Sequence, residues 1–215
     1  MFLNRKDAAL QLAAALPAYK GKHALVLGIP RGGVETAYYI ADYLEADLSV
    51  LVVRKLGHPT NREYALGAIA EDGTICYNAG ALKGVSQEAI DEAEDRERGE
   101  IARRIRLFRK GRSLPRLKDR TVIIADDGIA TGATILCAVK MCRKHGARRI
   151  IVAAPVSGQS TKKALEQEAD EVVILQTPAE FYAVSQAYES FHDPGDRETI
   201  AFLEKRENER KTIGQ

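Results

Sequence analysis

The stretch Val122-Ile123-Ile124-Ala125-Asp126-Asp127-Gly128-Ile129-Ala130-Thr131-Gly132-Ala133-Thr134 restricts the fold more than any other part of the chain. A β-branched run too short for a helix ends in two adjacent carboxylates, and a turn of small residues leads into an apolar helical pattern beginning near Ala133. The order is strand, loop, helix. A helix start preceded by Gly and Ala leaves backbone N–H groups pointing into an open concavity, with the positive end of the helix dipole behind them. Such a start suits a phosphate group. Two carboxylates beside it would repel the phosphate unless a polyhydroxylated group or a divalent cation lies between, and a sugar phosphate with Mg²⁺ meets both demands. Two commoner nucleotide motifs are excluded. A Walker A loop needs Lys and then Ser or Thr after its second Gly, whereas Gly132 is followed by Ala133 and Thr134. Neither Gly128/Gly132 nor Gly28/Gly32/Gly33 has the spacing of the dinucleotide fingerprint.

The same strand, turn and helix pattern recurs along the chain. Asn4 is an N-cap for a first helix to about Leu16, with Ala9, Leu12, Ala13 and Leu16 on one face and Pro17 closing it; this helix reads as structural. A buried strand, His23 to Ile29, then meets Pro30-Arg31-Gly32-Gly33 and a helix through Ala37, Ile40, Ala41 and Leu44. The glycines permit a tight turn with exposed N–H groups, and Arg31 adds a planar fork suited to phosphate oxygens. Leu48 to Val53 reads as one strand running into Arg54 and Lys55, two cations that demand an anion or solvent. From Leu56 to about Gly73 no period is sustained, which predicts a long mobile loop, a lid in function, blending into a hairpin of 68–70 and 74–77 about Asp72-Gly73. Ser86 caps a densely charged helix to about Lys110. Beyond the opening motif and its helix come a strand from Arg149 to Pro155, a helix from Thr161 to Gln167 and a strand from Glu171 to Leu175.

These elements predict one α/β domain over 1–215, a parallel sheet flanked by helices, with 56–112 as lid, hairpin and charged helix. Segments 30–33, 54–55, 126–134 and 155–159 each follow a strand, so a parallel sheet brings them to one edge. The tail 177–203 forms a small C-terminal hood whose aromatics, Phe181 and Tyr182 first, stack on a flat base or cap the core. It ends in a helix near Asp196–Leu203, and residues from Glu204 onward read as a frayed charged end.

Across its thirteen positions the opening stretch resembles the motif by which type I phosphoribosyltransferases bind phosphoribosyl pyrophosphate (PRPP). Through Pro30-Arg31-Gly32-Gly33, Arg54-Lys55-Leu56-Gly57-His58-Pro59 and Leu66-Gly67-Ala68-Ile69, the chain to about Leu203 is similar to a bacterial family of predicted enzymes of that type. The resemblance implies Mg²⁺-dependent transfer of the phosphoribosyl group from PRPP to a base or amine, with release of pyrophosphate. It places Asp126 and Asp127 on the ribose hydroxyls with Mg²⁺ nearby, held through PRPP. Ala130, Thr131, Gly132, Ala133 and Thr134 fall on the 5′-phosphate, and Arg31, Gly32, Gly33, Arg54 and Lys55 on the pyrophosphate. Enzymes for 6-oxopurines carry an acid three residues after the second carboxylate, where this chain has Ala130, so hypoxanthine and guanine are disfavoured. Thr60-Asn61-Arg62-Glu63 and the region of His192 depart from the family pattern.

Composition narrows the setting. The chain of 215 residues is 45% hydrophobic and 29% charged with a net charge of +2, ordinary values for a folded protein and no footprint for nucleic acid. Cys76, Cys137 and Cys142 form no CxxC pair, which points to a reducing compartment without a structural metal. No apolar run approaches the roughly 20 residues of a membrane span. A cytoplasmic homodimer is the expected form. The competing reading is a PRPP- or nucleotide-sensing regulator that keeps this fold without catalysis.

Overall fold

In the computed structural model, residues 1–58, 65–78 and 80–213 are described, with side chains to 210. Asn4 caps helix α1 (Arg5–Ala14) by accepting from the Asp7 N–H at 3.0 Å. Strand β1 (Leu25–Gly28), helix α2 (Gly32–Leu44) and strand β2 (Asp47–Val50) follow. The chain then leaves the first sheet for β3 (Val53–Gly57), β4 (Ala65–Ala70) and β5 (Ile75–Tyr77). After α3 (Gln87–Arg109) come β6 (Thr121–Ala125), α4 (Ala133–Lys144), β7 (Arg149–Val156), α5 (Gln159–Glu166), β8 (Glu171–Gln176) and α6 (Asp196–Ile213).

The expected parallel sheet is present, ordered β2-β1-β6-β7-β8. The central strands β1, β6 and β7 are apolar over almost all their length because both faces are covered there. Val26, Ile123 and Ile151 pack beneath α1 and α2, while Leu25, Leu27, Ile124 and Val152 pack against Ile135, Ala138 and Val139 of α4. Side chains alternate across a strand, so each short run feeds two cores.

Three expectations need correction. Leu48–Val53 is not one strand: Asp47–Val50 pairs in parallel with β1, and Val53–Gly57 belongs to a separate antiparallel sheet, β3-β4-β5. The predicted long loop 56–73 is largely that sheet, and Lys55 lies opposite Ala68 within it. Residues 59–64, the tip of the expected lid, lie outside the described residues. The small sheet is buried from two sides, with Leu56, Leu66 and Ile69 toward Ile90, Ile101 and Phe108 of α3 and with Ala68 and Ala70 toward α4. Burial on both faces explains why glycine and alanine survive in a strand.

The third correction concerns the C-terminus. The helix does not end at Leu203 but runs to Ile213. Arg206 holds it down: its side chain donates to the carbonyls of Ala41 and Ala46, each at 3.0 Å, and to Asp42 at 3.1 Å. Helix α6 packs on α2 and on the edge of β2, so the expected hood over 177–203 is divided: Phe181, Val184, Ala187, Tyr188 and Phe191 pack instead with Phe2 and Ala8.

The Asp72-Gly73 turn ties the small sheet to the end of α4. Burial raises the Asp72 carboxyl, but the Thr74 N–H and hydroxyl, Lys144 and His145 outweigh it and hold the pKa down to about 2. A depressed acid stabilises the fold above its unfolded pKa and loses that contribution as pH falls through the folded one. Urea midpoints for the wild type and Asp72→Asn should therefore differ most near neutrality, the wild type being more stable. The gap should close between the ordinary value of 3.8 and pH about 2.

Candidate active site

Strands β1 and β6 are neighbours in register, Gly28 opposite Ala125, so the turns that follow them emerge side by side. The first turn, Pro30 to Gly33, presses against the second. A Cβ on Gly32 would lie 1.9 Å from Asp127 Oδ2, and one on Gly33 2.7 Å from Asp126 Oδ1. Glycine is required there because the start of α2 is packed directly on the acidic pair. The positive end of a helix dipole suits carboxylates at that distance.

The two acids differ in surroundings. Burial, reinforced by the charge of Asp127, pushes the Asp126 carboxyl well above the usual carboxylate range, although the Asp127 N–H donates to its Oδ1 at 2.9 Å. Asp127 accepts from Arg5 Nε at 2.7 Å, and Arg5 is 4% exposed. The Arg5 guanidinium sits 4.1 Å from the centre of the Phe191 ring. The Tyr188 hydroxyl donates to the Asp127 carbonyl. Burial also raises the carboxyl pKa of Glu35, in the first turn of α2 near Arg5.

Beyond the acids, the turn 128–132 is held to the neighbouring strand end. Ile129 N–H donates to the Val156 carbonyl at 2.9 Å, and Thr161 Oγ1 donates to the Ala130 carbonyl at 2.9 Å. Gly132 is the N-cap of α4 with φ +77°, a left-handed conformation that glycine adopts without strain. It has no side chain to cap the helix. The first helical bond runs from Leu136 N–H to the Gly132 carbonyl, and among the described residues the N–H groups of Thr131 to Thr134 have no protein acceptor. Orphan donors at a helix start are an anion site by construction.

These features meet in a cleft of about 740 Å³ between α4 and the small sheet. Asp126, all of Ala130 to Thr134, Lys55 and Tyr182 line it. Other expected site residues fall elsewhere. Arg54 and Lys55 occupy successive positions of β3 and so face opposite ways; Arg54 turns from the cleft to pair with Glu97 of α3 at 3.0 Å. Arg31 pairs with Asp193 of the hood. Gly32 and Gly33 lie behind the acids. Phe181 packs with Val184 and Phe191 in the hood, which favours the capping role for it, whereas Tyr182 is 79% exposed at the cleft.

The donor set can be tested against Mg²⁺. Asp126 and Asp127 are hard oxygen ligands, and no group of three His, Cys, Asp or Glu converges among the described residues. Two such oxygen donors are of the type Mg²⁺ takes beside phosphate oxygens and water at a phosphorylated substrate, although here Asp127 is already held by Arg5.

Arg5 was hidden from sequence reasoning because its helix looked structural. A signal was present: Arg5, Ala8, Ala9, Leu12 and Ala13 form the buried stripe of α1, a cation in line with apolar residues. Tyr188 had no comparable mark.

The family model of the phosphoribosyl transferase domain matches residues 3–189. A Mycobacterium tuberculosis protein provisionally named as a phosphoribosyl transferase is 44% identical over 207 residues, 95% of this chain and 47% of its own length. The chain thus spans about half the length of the curated relatives it matches. The crystal structure of TT1426 from Thermus thermophilus is similar with a TM-score of 0.80 at 37% identity, covering 94% of this chain and 97% of that one. A stretch of 58 residues, 27% of this chain and 27% of the relative, is 41% identical to the transcriptional regulator GfcR of Methanosphaera stadtmanae.

Removing Arg5 leaves a mostly buried carboxylate, 14% exposed, without its partner. Arg5→Met should lower unfolding stability by about 3 kcal/mol, the scale for breaking a buried ion pair from one side. Urea denaturation at pH 7 measures this, and Arg5→Lys should recover part of the loss.

Proposed function

We propose that this chain, which belongs to the phosphoribosyl transferase domain family, transfers the phosphoribosyl group of PRPP to a base or amine, releasing pyrophosphate. The observation that carries the reading is the uncapped start of α4 beside a carboxylate pair at one end of the cleft. The orphan N–H groups of Thr131 to Thr134 and the threonine hydroxyls receive the 5′-phosphate. Asp126 and Asp127 accept from the ribose 2′- and 3′-hydroxyls. Arg5 orients Asp127 for that task.

As the acceptor nitrogen approaches the anomeric carbon, the bond to pyrophosphate breaks and the ribose becomes oxocarbenium-like, as in glycoside cleavage. The carboxylates lie where positive charge develops. Lys55, projecting into the cleft from β3, receives the departing pyrophosphate; Arg31, outside the cleft lining, joins it by exchanging Asp193 for a phosphate oxygen. Mg²⁺ carried by PRPP, with Asp126 and Asp127 nearby, would neutralise part of the pyrophosphate charge. Exposed Tyr182 offers a face for a planar acceptor. Ala130 at the cleft provides no acid to protonate a 6-oxopurine, so other bases or amines are the proposed acceptors. The proposed form is a cytoplasmic homodimer.

A second reading, a PRPP-sensing regulator, is favoured by the local similarity to a transcriptional regulator. The two differ in one measurement. With Mg²⁺, PRPP and a panel of purines, pyrimidines and amines, the enzyme should release pyrophosphate with at least one acceptor. PRPP binding without release across the panel identifies the sensor. Asp127→Asn should reduce turnover by about 10²–10³-fold, the range for losing one transition-state contact, and undiminished turnover would overturn the placement of the ribose.

A further inference from the structure

A second concavity of about 420 Å³ lies beside the edge strand β2, between the end of α3 and the inner face of α6. It shares no lining residue with the PRPP cleft. Arg109, Lys110, Arg112, Arg206 and Arg210 line it, opposed by the carboxylates of Glu204 and Glu207. Such a density of guanidinium groups on a concave surface suits an anion with several oxygen acceptors.

Two of these arginines are buried and incompletely bonded. The side chains of Arg109 and Arg206 are each 7% exposed. Arg109 gives Nη2 to Glu71 at 2.7 Å, yet its Nε and Nη1 are buried without an acceptor. The Nε of Arg206 is in the same condition. Buried donors of a charged group are normally satisfied, so their lack of acceptors in the wall of a cavity marks a place for an anion.

At the mouth the cations are accessible. Lys110 and Arg112 are 60% and 64% exposed, and their pairs with Glu204 and Glu207, at 3.1 and 3.4 Å, are surface contacts of little worth. A phosphoryl group can exchange for them at small cost. Besides Ser49 and Ser113, the remaining wall is apolar: half-buried Leu48, Ile200 and Leu203 offer a surface for a poorly hydrated body, with Val50 and Phe108 buried behind them. The volume falls within the usual range for small-ligand sites, about 300–1,000 Å³.

We propose that this concavity is a binding site for a nucleoside monophosphate, with its phosphate on Lys110 and Arg112 in front of Arg109 and its base against Leu48, Ile200 and Leu203. The site is independent of the transferase reading.

Adenosine 5′-monophosphate is the probe, titrated calorimetrically into the full chain at low salt. Lys110→Ala/Arg112→Ala, both exposed positions, should weaken binding at this site at least tenfold. Thr131→Glu, an exposed position that sets a carboxylate in the cleft's own phosphate site, should leave one nucleotide bound per chain. Lys20→Ala/Lys163→Ala, two surface cations elsewhere, controls for net charge and should leave binding unchanged. The site is overturned by no binding to the wild type, by binding in the Thr131→Glu background that survives Lys110→Ala/Arg112→Ala within tenfold, by binding that disappears with Thr131→Glu alone, or by an equal loss in the charge control.

Discussion

The contact on which the rest of the molecule depends is between the start of α2 and the Asp126–Asp127 pair. Adjacent parallel strands, Gly28 beside Ala125, deliver two turns to the same point, and only residues without Cβ allow them to close on each other. The carboxylates are thereby removed from bulk water, which would be costly without compensation. The α2 dipole and the nearly buried Arg5 provide it. The hood then rests on this arrangement, Phe191 against the Arg5 guanidinium and Tyr188 on the Asp127 carbonyl. The first helix and the last loop are thus both part of the acidic centre, although neither borders the motif in sequence.

The opposite wall of the cleft is a separate small sheet held between α3 and α4. Because its strands are buried on both faces, the alternation of side chains decides which residues reach the cleft and which reach α3. That alternation separates Arg54 from Lys55. The former is taken up by Glu97 in a structural pair, while the latter lines the cleft. Glu71 couples the same sheet to α3 through Arg109 and to the chain entering β3 through the Val52 N–H. The basic concavity beside β2 therefore has one of its arginines bonded to the frame that carries Lys55.

The errors of sequence reading have identifiable causes. Leu48 to Val53 is apolar except for Ser49, and nothing local marks Leu51 and Val52 as the passage from one sheet to another; the division arises from partners far along the chain. Gly57, Pro59 and Gly67 suggested a loop, yet Gly67 belongs in a strand because a Cβ there would lie 2.2 Å from the Cys76 carbonyl of the neighbouring strand. The charged end after Glu204 has no strong apolar period, and its helix is retained through Arg206, whose acceptors are carbonyls around the end of α2.

What the amino-acid order determined by itself was whatever depends on neighbours in the chain: the parallel strands, the Asn4 and Ser86 caps, the acidic pair, and the uncapped start of α4 that favours phosphate. Hydrophobic period, capping and helix-end electrostatics act within a few residues, so they can be read locally. Tertiary structure alone decided that Arg5 supports Asp127, that Lys55 and not Arg54 faces the cleft, that Arg31 meets the hood, and that α6 closes over β2. Each of these depends on the separation and facing of segments distant in sequence, which burial and pairing set only when the whole chain has packed.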